Sequence, residues 1–203
     1  MSCGHRDWLS VEPSDPALAH VRAILLDPSC SGSGIVAATT ALERAAARAD
    51  GEGCARVAAL ARFQTKALRH ALSFPQARRV VYSTCSVHDA ENEAVVAAAL
   101  REHAAERAAA EGGEAAAEGG EGGAPAPWRL ARCLPEWPRR GRPVAGLDAR
   151  EAELLVRALP EDGTHGFFVA LFERGDDAAV AAEKNRRRLE KRKRGRKRKH
   201  EAA

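Results

Sequence analysis

The chain has 203 residues, of which 45% are apolar but only 4% aromatic, with a formal net charge of +4 from 32 basic and 28 acidic residues. That length suffices for one domain with an appendage. Five cysteines, an odd count without a C-x-x-C pair, argue against a disulfide framework and a structural zinc site, and fit a reducing compartment. No apolar run approaches a membrane span, and the segment from Met1 to Asp7 lacks the apolar core of a signal peptide, so the expectation is a soluble intracellular protein.

The charges are segregated along the chain. Glu dominates between Glu102 and Glu121, while nearly every residue from Lys184 to Lys199 is Lys or Arg. Residues 1–21, broken by Pro13 and Pro16, read as loop. The apolar segment Val21 to Asp27, closed by Pro28, fits a buried strand of a parallel sheet. Ser31-Gly32-Ser33-Gly34 follows and tolerates tight turns or close approach.

From Cys54 to Phe74 the period changes. Val57, Leu60, Ala61, Leu68, Ala71 and Leu72 recur at helical spacing with Arg56, Arg62, Lys66 and Arg69 largely between them, which predicts an amphipathic helix ending before Pro75. A strand is predicted over Arg78 to Ser83. A second helix follows over Asp89 to Leu100, with Asp89, Glu91 and Glu93 near the N-terminus, where negative charge is favoured. Strand, helix, strand, helix implies parallel neighbours joined by a crossover. Ala, Glu and Gly then leave almost nothing to bury, so residues 104–127 are read as a disordered insert. The apolar pattern resumes over residues 128–175 and ends in Gly166-Phe167-Phe168-Val169-Ala170-Leu171-Phe172-Glu173, whose aromatic and β-branched density predicts a third strand. Residues 176–203 form a basic tail without a core. Residues 1–103 and 128–175 are thus the two parts of one α/β domain.

Two apolar runs stop at polar loops that each carry one cysteine: Ile24 to Gly34 with Cys30, and Val80 to Ser86 with Cys85. Two such strand ends would place the Asp27 carboxylate and both thiols along one sheet edge, where open α/β proteins bind their ligands. A thiolate is a strong nucleophile once its pKa is lowered, and Cys85 stands just before a predicted helix whose dipole favours an anion. Asp27 could accept hydrogen bonds from an exocyclic amine such as that of cytosine. Against this stands the plainer reading. A lone cysteine ending an apolar strand is ordinarily a small buried hydrophobe, as read for Cys54 and Cys133, and Asp27-Pro28 could simply make a turn.

Asp27-Pro28-Ser29-Cys30-Ser31-Gly32-Ser33-Gly34, Tyr82-Ser83-Thr84-Cys85-Ser86, Glu91-Asn92-Glu93 and Gly166-Phe167-Phe168-Val169-Ala170, in this order, resemble the Sun-domain (NOP/Sun) RNA cytosine-5 methyltransferases. Within them the likeness is to the group that methylates large-subunit ribosomal RNA, and it runs from about Asp7 to Glu173. The resemblance implies a Rossmann-like class I methyltransferase domain, of which this chain would hold the C-terminal portion of the mixed sheet. It implies S-adenosylmethionine as cofactor, ribosomal RNA as partner, a monomer, and nuclear and nucleolar residence. Cys85 would add to C6 of cytosine, Cys30 would assist product release, Asp27 would help hold cofactor and cytosine, and Asp7, in Asp7-Trp8-Leu9, would meet the adenine end of the cofactor.

Two departures accompany the likeness. Most of the family reads Asp-Ala-Pro-Cys where this chain has Asp27-Pro28-Ser29-Cys30, which bears on the orientation of Cys30. The family's Gly-rich cofactor loop is expected N-terminal to every motif found here, together with the first strands, so the chain is expected to correspond to the carboxyl half of such an enzyme. Gly51-Glu52-Gly53 lacks a preceding strand and the rest of a dinucleotide fingerprint. In the tail, Lys191, Arg192, Lys193, Arg194, Arg196 and Lys197 would contact RNA phosphates, or serve as a nuclear targeting signal. The rival expectation is a catalytically inactive nucleolar RNA-binding or interaction protein.

Overall fold

The computed structural model describes residues 4–35, 51–113 and 126–175. Its strands are β1 (Ala23–Leu26), β2 (Arg79–Thr84), β3 (Arg129–Ala131), β4 (Val156–Ala158) and β5 (Phe167–Glu173). Its α-helices are α1 (Gly51–Leu72), α2 (Glu93–Gly113) and the single turn α3 (Ala149–Ala152). The sheet order is β1-β2-β5-β3, with β4 also paired to β5. Only β1 and β2 run parallel; β5 is antiparallel to β2, β3 and β4. A parallel pair needs a long crossover, and the chain that supplies it includes α1.

β2 and β5 form the centre. Val80 and Tyr82 of β2 face the same side as Phe168, Ala170 and Phe172 of β5, and all are fully buried. Ala67, Leu68, Ala71 and Leu72 of α1 and Val95, Val96 and Ala99 of α2 close over the core, as the 3.6-residue period requires. β1 departs from its expectation. Among the described strands it lies at the sheet edge, Leu25 is 74% exposed and only Leu26 is buried, because an edge strand lacks the second neighbour that would cover it.

The N-terminal segment, expected as plain loop, carries two 3-10 turns, Trp8–Ser10 and Pro16–Leu18, capped by Asp7 and Asp15. Trp8 anchors it by donating Nε1–H to the Ala67 carbonyl at 3.1 Å and stacking on Phe74 at 5.5 Å. The second helix is also longer than expected. It continues from Leu100 to Gly113, into residues whose composition predicts an insert without structure. Ala, Glu and Arg are strong helix formers, and Arg69 of α1 pairs with Glu102 at 2.8 Å and with Glu106, tying the extension to α1. Among the described residues no helix is long and apolar enough to cross a membrane.

Candidate active site

The register of β1 on β2, Leu26 opposite Tyr82, brings both strands out at the same edge. Their following loops then converge, and Cys30 Sγ lies 2.9 Å from Cys85 Sγ. Asp27, one residue past β1, accepts a hydrogen bond from Ser83 Oγ at 3.3 Å and is otherwise exposed. Glycines allow the loops to approach. Gly34 N–H donates to the Cys85 carbonyl and Gly166 N–H to the Gly34 carbonyl, both at 2.9 Å. A Cβ on Gly34 would lie 2.3 Å from the Gly166 carbonyl oxygen, and one on Gly166 would lie 2.5 Å from Val87 Cγ1. The glycines of two separate motifs thus fit one another, and no larger residue fits either place unless the backbone moves.

Beneath the thiols lies a buried polar cluster. Glu91, with no solvent exposure, accepts Ser31 N–H at 2.9 Å and Gln64 Nε2–H at 3.0 Å on Oε1, and Ser86 Oγ–H at 2.6 Å on Oε2. Gln64 also donates to the Ser29 carbonyl at 2.9 Å, and Tyr82 donates its hydroxyl to the Glu91 carbonyl at 2.6 Å. Asn92 accepts from Thr84 Oγ1 at 2.6 Å and donates to the Ser86 carbonyl at 2.9 Å. Glu93 faces the other way, into a bidentate pair with buried Arg157 whose Nε–Oε1 arm is 2.6 Å. The Glu-Asn-Glu motif is therefore the floor of the site. The helix begins at Glu93, which lies in its first turn as expected, but Asp89–Glu91 forms a separate 3-10 turn that carries Glu91 under the cysteine loops.

The ionisation of the site follows from this packing. Burial opposes the charge on Glu91, but hydrogen bonds from Ser31, Ser86 and Gln64 outweigh it and hold the carboxyl below its ordinary range. Burial, then the hydrogen bond with Cys30, pushes the Cys85 thiol up to about 11. Tyr82 is pushed up by burial and then by Glu91, Cys30 and Asp27, and stays a hydroxyl donor. At neutral pH Cys85 is a thiol, so the helix-dipole activation considered from sequence is overcome by desolvation.

Asp27, Cys30 and Cys85 are brought together, whereas Asp7 is held by its own turn. Its carboxylate caps the Trp8–Ser10 turn by accepting Leu9 N–H at 3.1 Å, beside Trp8, which bonds the Ala67 carbonyl of α1. Lys191, Arg192, Lys193, Arg194, Arg196 and Lys197 lie outside the described residues, as do residues 114–125 of the 104–127 insert. Gly51 and Gly53 belong to the first turn of α1. For S-adenosylmethionine the fit is partial. Asp27 offers a carboxylate with little competition from the protein, which suits a cationic or amine donor, but the cavity of about 360 Å³ lies between α1 and α2 against Arg62, Lys66, Arg69 and Glu102, not beside Asp27. Gln64 was not singled out from sequence. Its signal was available: it sits in phase with Leu60 and Leu68, a polar residue on the apolar stripe of α1.

The fold and site define an α/β protein with two thiols in contact beyond the C-terminal ends of parallel strands. The family described as 16S rRNA methyltransferase RsmB/F matches residues 6–173, and the chain belongs to it. The chain is 42% identical over 178 residues to the 25S rRNA (cytosine-C(5))-methyltransferase NSUN5 of Arabidopsis thaliana, covering 85% of this chain and 27% of that protein. To the 28S rRNA (cytosine-C(5))-methyltransferase of Mus musculus it is 41% identical over 175 residues, 84% of this chain and 31% of that protein. To the 25S rRNA (cytosine-C(5))-methyltransferase rcm1 of Schizosaccharomyces pombe it is 37% identical over 170 residues, 82% of this chain and 32% of that protein. It thus spans 27% to 32% of the length of these curated relatives. Among solved structures, a methyltransferase homolog protein from Pyrococcus horikoshii aligns with a TM-score of 0.46 and 21% identity, over 78% of this chain and 41% of that chain. The family resemblance read from the motifs is borne out.

Proposed function

We propose that this chain carries the two-thiol part of a site that methylates C5 of cytosine in RNA, with large-subunit ribosomal RNA as substrate and S-adenosylmethionine as methyl donor. The observation that carries the reading is the 2.9 Å approach of Cys30 and Cys85 beside Asp27. C5 of a cytosine is a poor nucleophile. Cys85 gives up its thiol proton to solvent, its sulfur forms an S–C6 bond, and the C5=C6 electron pair moves onto C5. S-adenosylmethionine supplies, when bound, a methyl group on a sulfonium leaving group. Loss of the C5 proton then restores the C5=C6 bond as the S–C6 bond breaks and Cys85 departs with its electron pair. Cys30, within hydrogen-bond reach of Cys85, passes its thiol proton to the departing Cys85 sulfur and takes up the C5 proton in its place. Asp27 is the residue of this chain that would hold the cofactor or the cytosine amino group. The target base must leave its stack to reach the thiols, which costs least in loops and single strands.

The basic segment with Lys191, Arg192, Lys193, Arg194, Arg196 and Lys197 would add salt-dependent phosphate contacts without sequence choice, or direct the protein to the nucleus and nucleolus. A second reading, a catalytically silent RNA-binding or interaction protein, is favoured by the place of the cavity of about 360 Å³ between α1 and α2, lined by Arg62, Lys66 and Arg69 and not by Asp27. Incubation with ribosomal RNA and methyl-labelled S-adenosylmethionine tests the first reading: label in 5-methylcytosine, abolished by Cys85→Ala, is expected. Absence of label together with no calorimetric binding of S-adenosylmethionine would replace it by the second.

A further inference from the structure

We infer that Glu91 is a positioning residue that sets the distance between Cys30 and Cys85, one carboxylate oxygen holding each cysteine loop. The assignment rests on the two-thiol reading of the site, which it deepens, and on contacts that involve neither RNA nor cofactor. Ser31 directly follows Cys30, and its N–H donates to Glu91 Oε1 at 2.9 Å. Ser86 directly follows Cys85, and its hydroxyl donates to Glu91 Oε2 at 2.6 Å. Gln64 reinforces the first arm, reaching Oε1 at 3.0 Å and the Ser29 carbonyl at 2.9 Å with the same nitrogen, so both neighbours of Cys30 are fixed.

The geometry leaves Glu91 little other work. Its donors Ser31, Gln64 and Ser86 are all neutral, whereas Glu93, two residues on, holds Arg157. A fully buried carboxylate satisfied by neutral donors from two loops gains nothing from an ion pair; it fixes the loops to each other. Serine hydroxyls fill the rest of the joint. Ser33 Oγ lies 3.2 Å from Ser86 Oγ and accepts Val87 N–H at 3.1 Å, and Ser31 Oγ donates to Ser33 Oγ at 3.0 Å. Loss of the carboxylate removes a tie from both loops at once, leaving the Gly34 N–H bond to the Cys85 carbonyl and the serine contacts.

Thiol trapping reads the distance without any activity. In the full chain with Cys3, Cys54 and Cys133 replaced by Ser, diamide closes a Cys30–Cys85 disulfide; the two thiols give two protons and two electrons to the diazene, which becomes the hydrazine. The rate is measured by quenched mass spectrometry well below the thermal transition. Glu91→Met, which keeps the volume and removes every acceptor, is expected to slow trapping about tenfold or more, the size expected for losing hydrogen bonds to a charged acceptor. Glu91→Gln, which keeps one acceptor oxygen, should fall between it and the parent. Leu72→Ala, which opens a cavity at the far part of α1, lowers stability without touching either loop and should leave the rate within about twofold.

If Glu91→Met does not fold, Ser86→Ala and Glu91→Gln carry the same test, each with an expected slowing of about threefold or more. Unchanged trapping in both would overturn the assignment, as would an equal slowing in Leu72→Ala. Trapping that depends on Glu91 in a chain that transfers no methyl group leaves the assignment standing while the methylation reading falls. Methyl transfer that needs Cys85, with trapping indifferent to Glu91, does the reverse.

Discussion

Glu91 and Glu93 stand two residues apart on the same motif, both without solvent exposure, and the protein satisfies them in opposite ways. Glu93 meets a guanidinium: Arg157 reaches it bidentately and also donates to the Val87 carbonyl at 3.0 Å and to Asp89 at 2.5 Å. Glu91 meets a backbone amide, a carboxamide and a hydroxyl. The first arrangement locks β4 to the start of α2 with full charge compensation. The second spreads one negative charge over neutral donors drawn from both cysteine loops. A charge paired with a charge makes scaffold; a charge shared among neutral donors arranges the groups that carry them.

The largest effect should come from breaking the ion pair. Arg157→Leu leaves Glu93 buried without a cation and should cost about 3–5 kcal/mol in urea unfolding. Replacing both Arg157 and Glu93 by Leu should recover most of that loss, because the pair itself contributes little beyond its own desolvation. Gly34→Ala comes next. Its methyl group has no room against the Gly166 carbonyl, and overpacking of this kind costs about 1–3 kcal/mol, read as a lower denaturant midpoint and slower disulfide trapping.

The smallest effect is the pH dependence of Glu91. Its folded-state pKa lies below the ordinary carboxylate value, so its contribution is fully present above the unfolded pKa and is lost as pH falls through the folded one. The denaturant midpoint of the parent should therefore drop toward that of Glu91→Gln as the solution is acidified below the ordinary carboxylate range. A gap that stays constant on acidification would mean that the carboxylate charge is not what the loops use.

The strand ends with their cysteines were legible because an apolar run stopped by Asp-Pro, or by Ser-Thr-Cys, leaves a mark in one dimension. The amphipathic α1 was legible for the same reason, down to the Leu68, Ala71 and Leu72 stripe. What was not legible depends on contacts between distant segments. Gln64 stands out in sequence only as a polar residue on an apolar stripe; its partner Glu91, 27 positions away, appears when α1 packs. Glu91 reads as a helix-N-terminal charge because helix propensity cannot say that a 3-10 turn will bury it, and Glu93, which does open α2, gives no sign in sequence of its buried partner Arg157. β1 reads as an interior strand because its four residues are all apolar, although Leu25 is exposed at the sheet edge. The cap that Asp7 makes on its own turn was likewise not read from the triplet, although short acidic side chains form such caps readily.

The division of labour between the thiols is the central claim, and a covalent complex tests it most directly. Cys30→Ala and Cys85→Ala chains are incubated with cytosine-containing ribosomal RNA and S-adenosylmethionine, then resolved by denaturing electrophoresis. The account predicts an RNA-linked species that survives denaturation in Cys30→Ala, where release is blocked after attack, and none in Cys85→Ala. An adduct in Cys85→Ala and none in Cys30→Ala would contradict it and make Cys30 the attacking thiol.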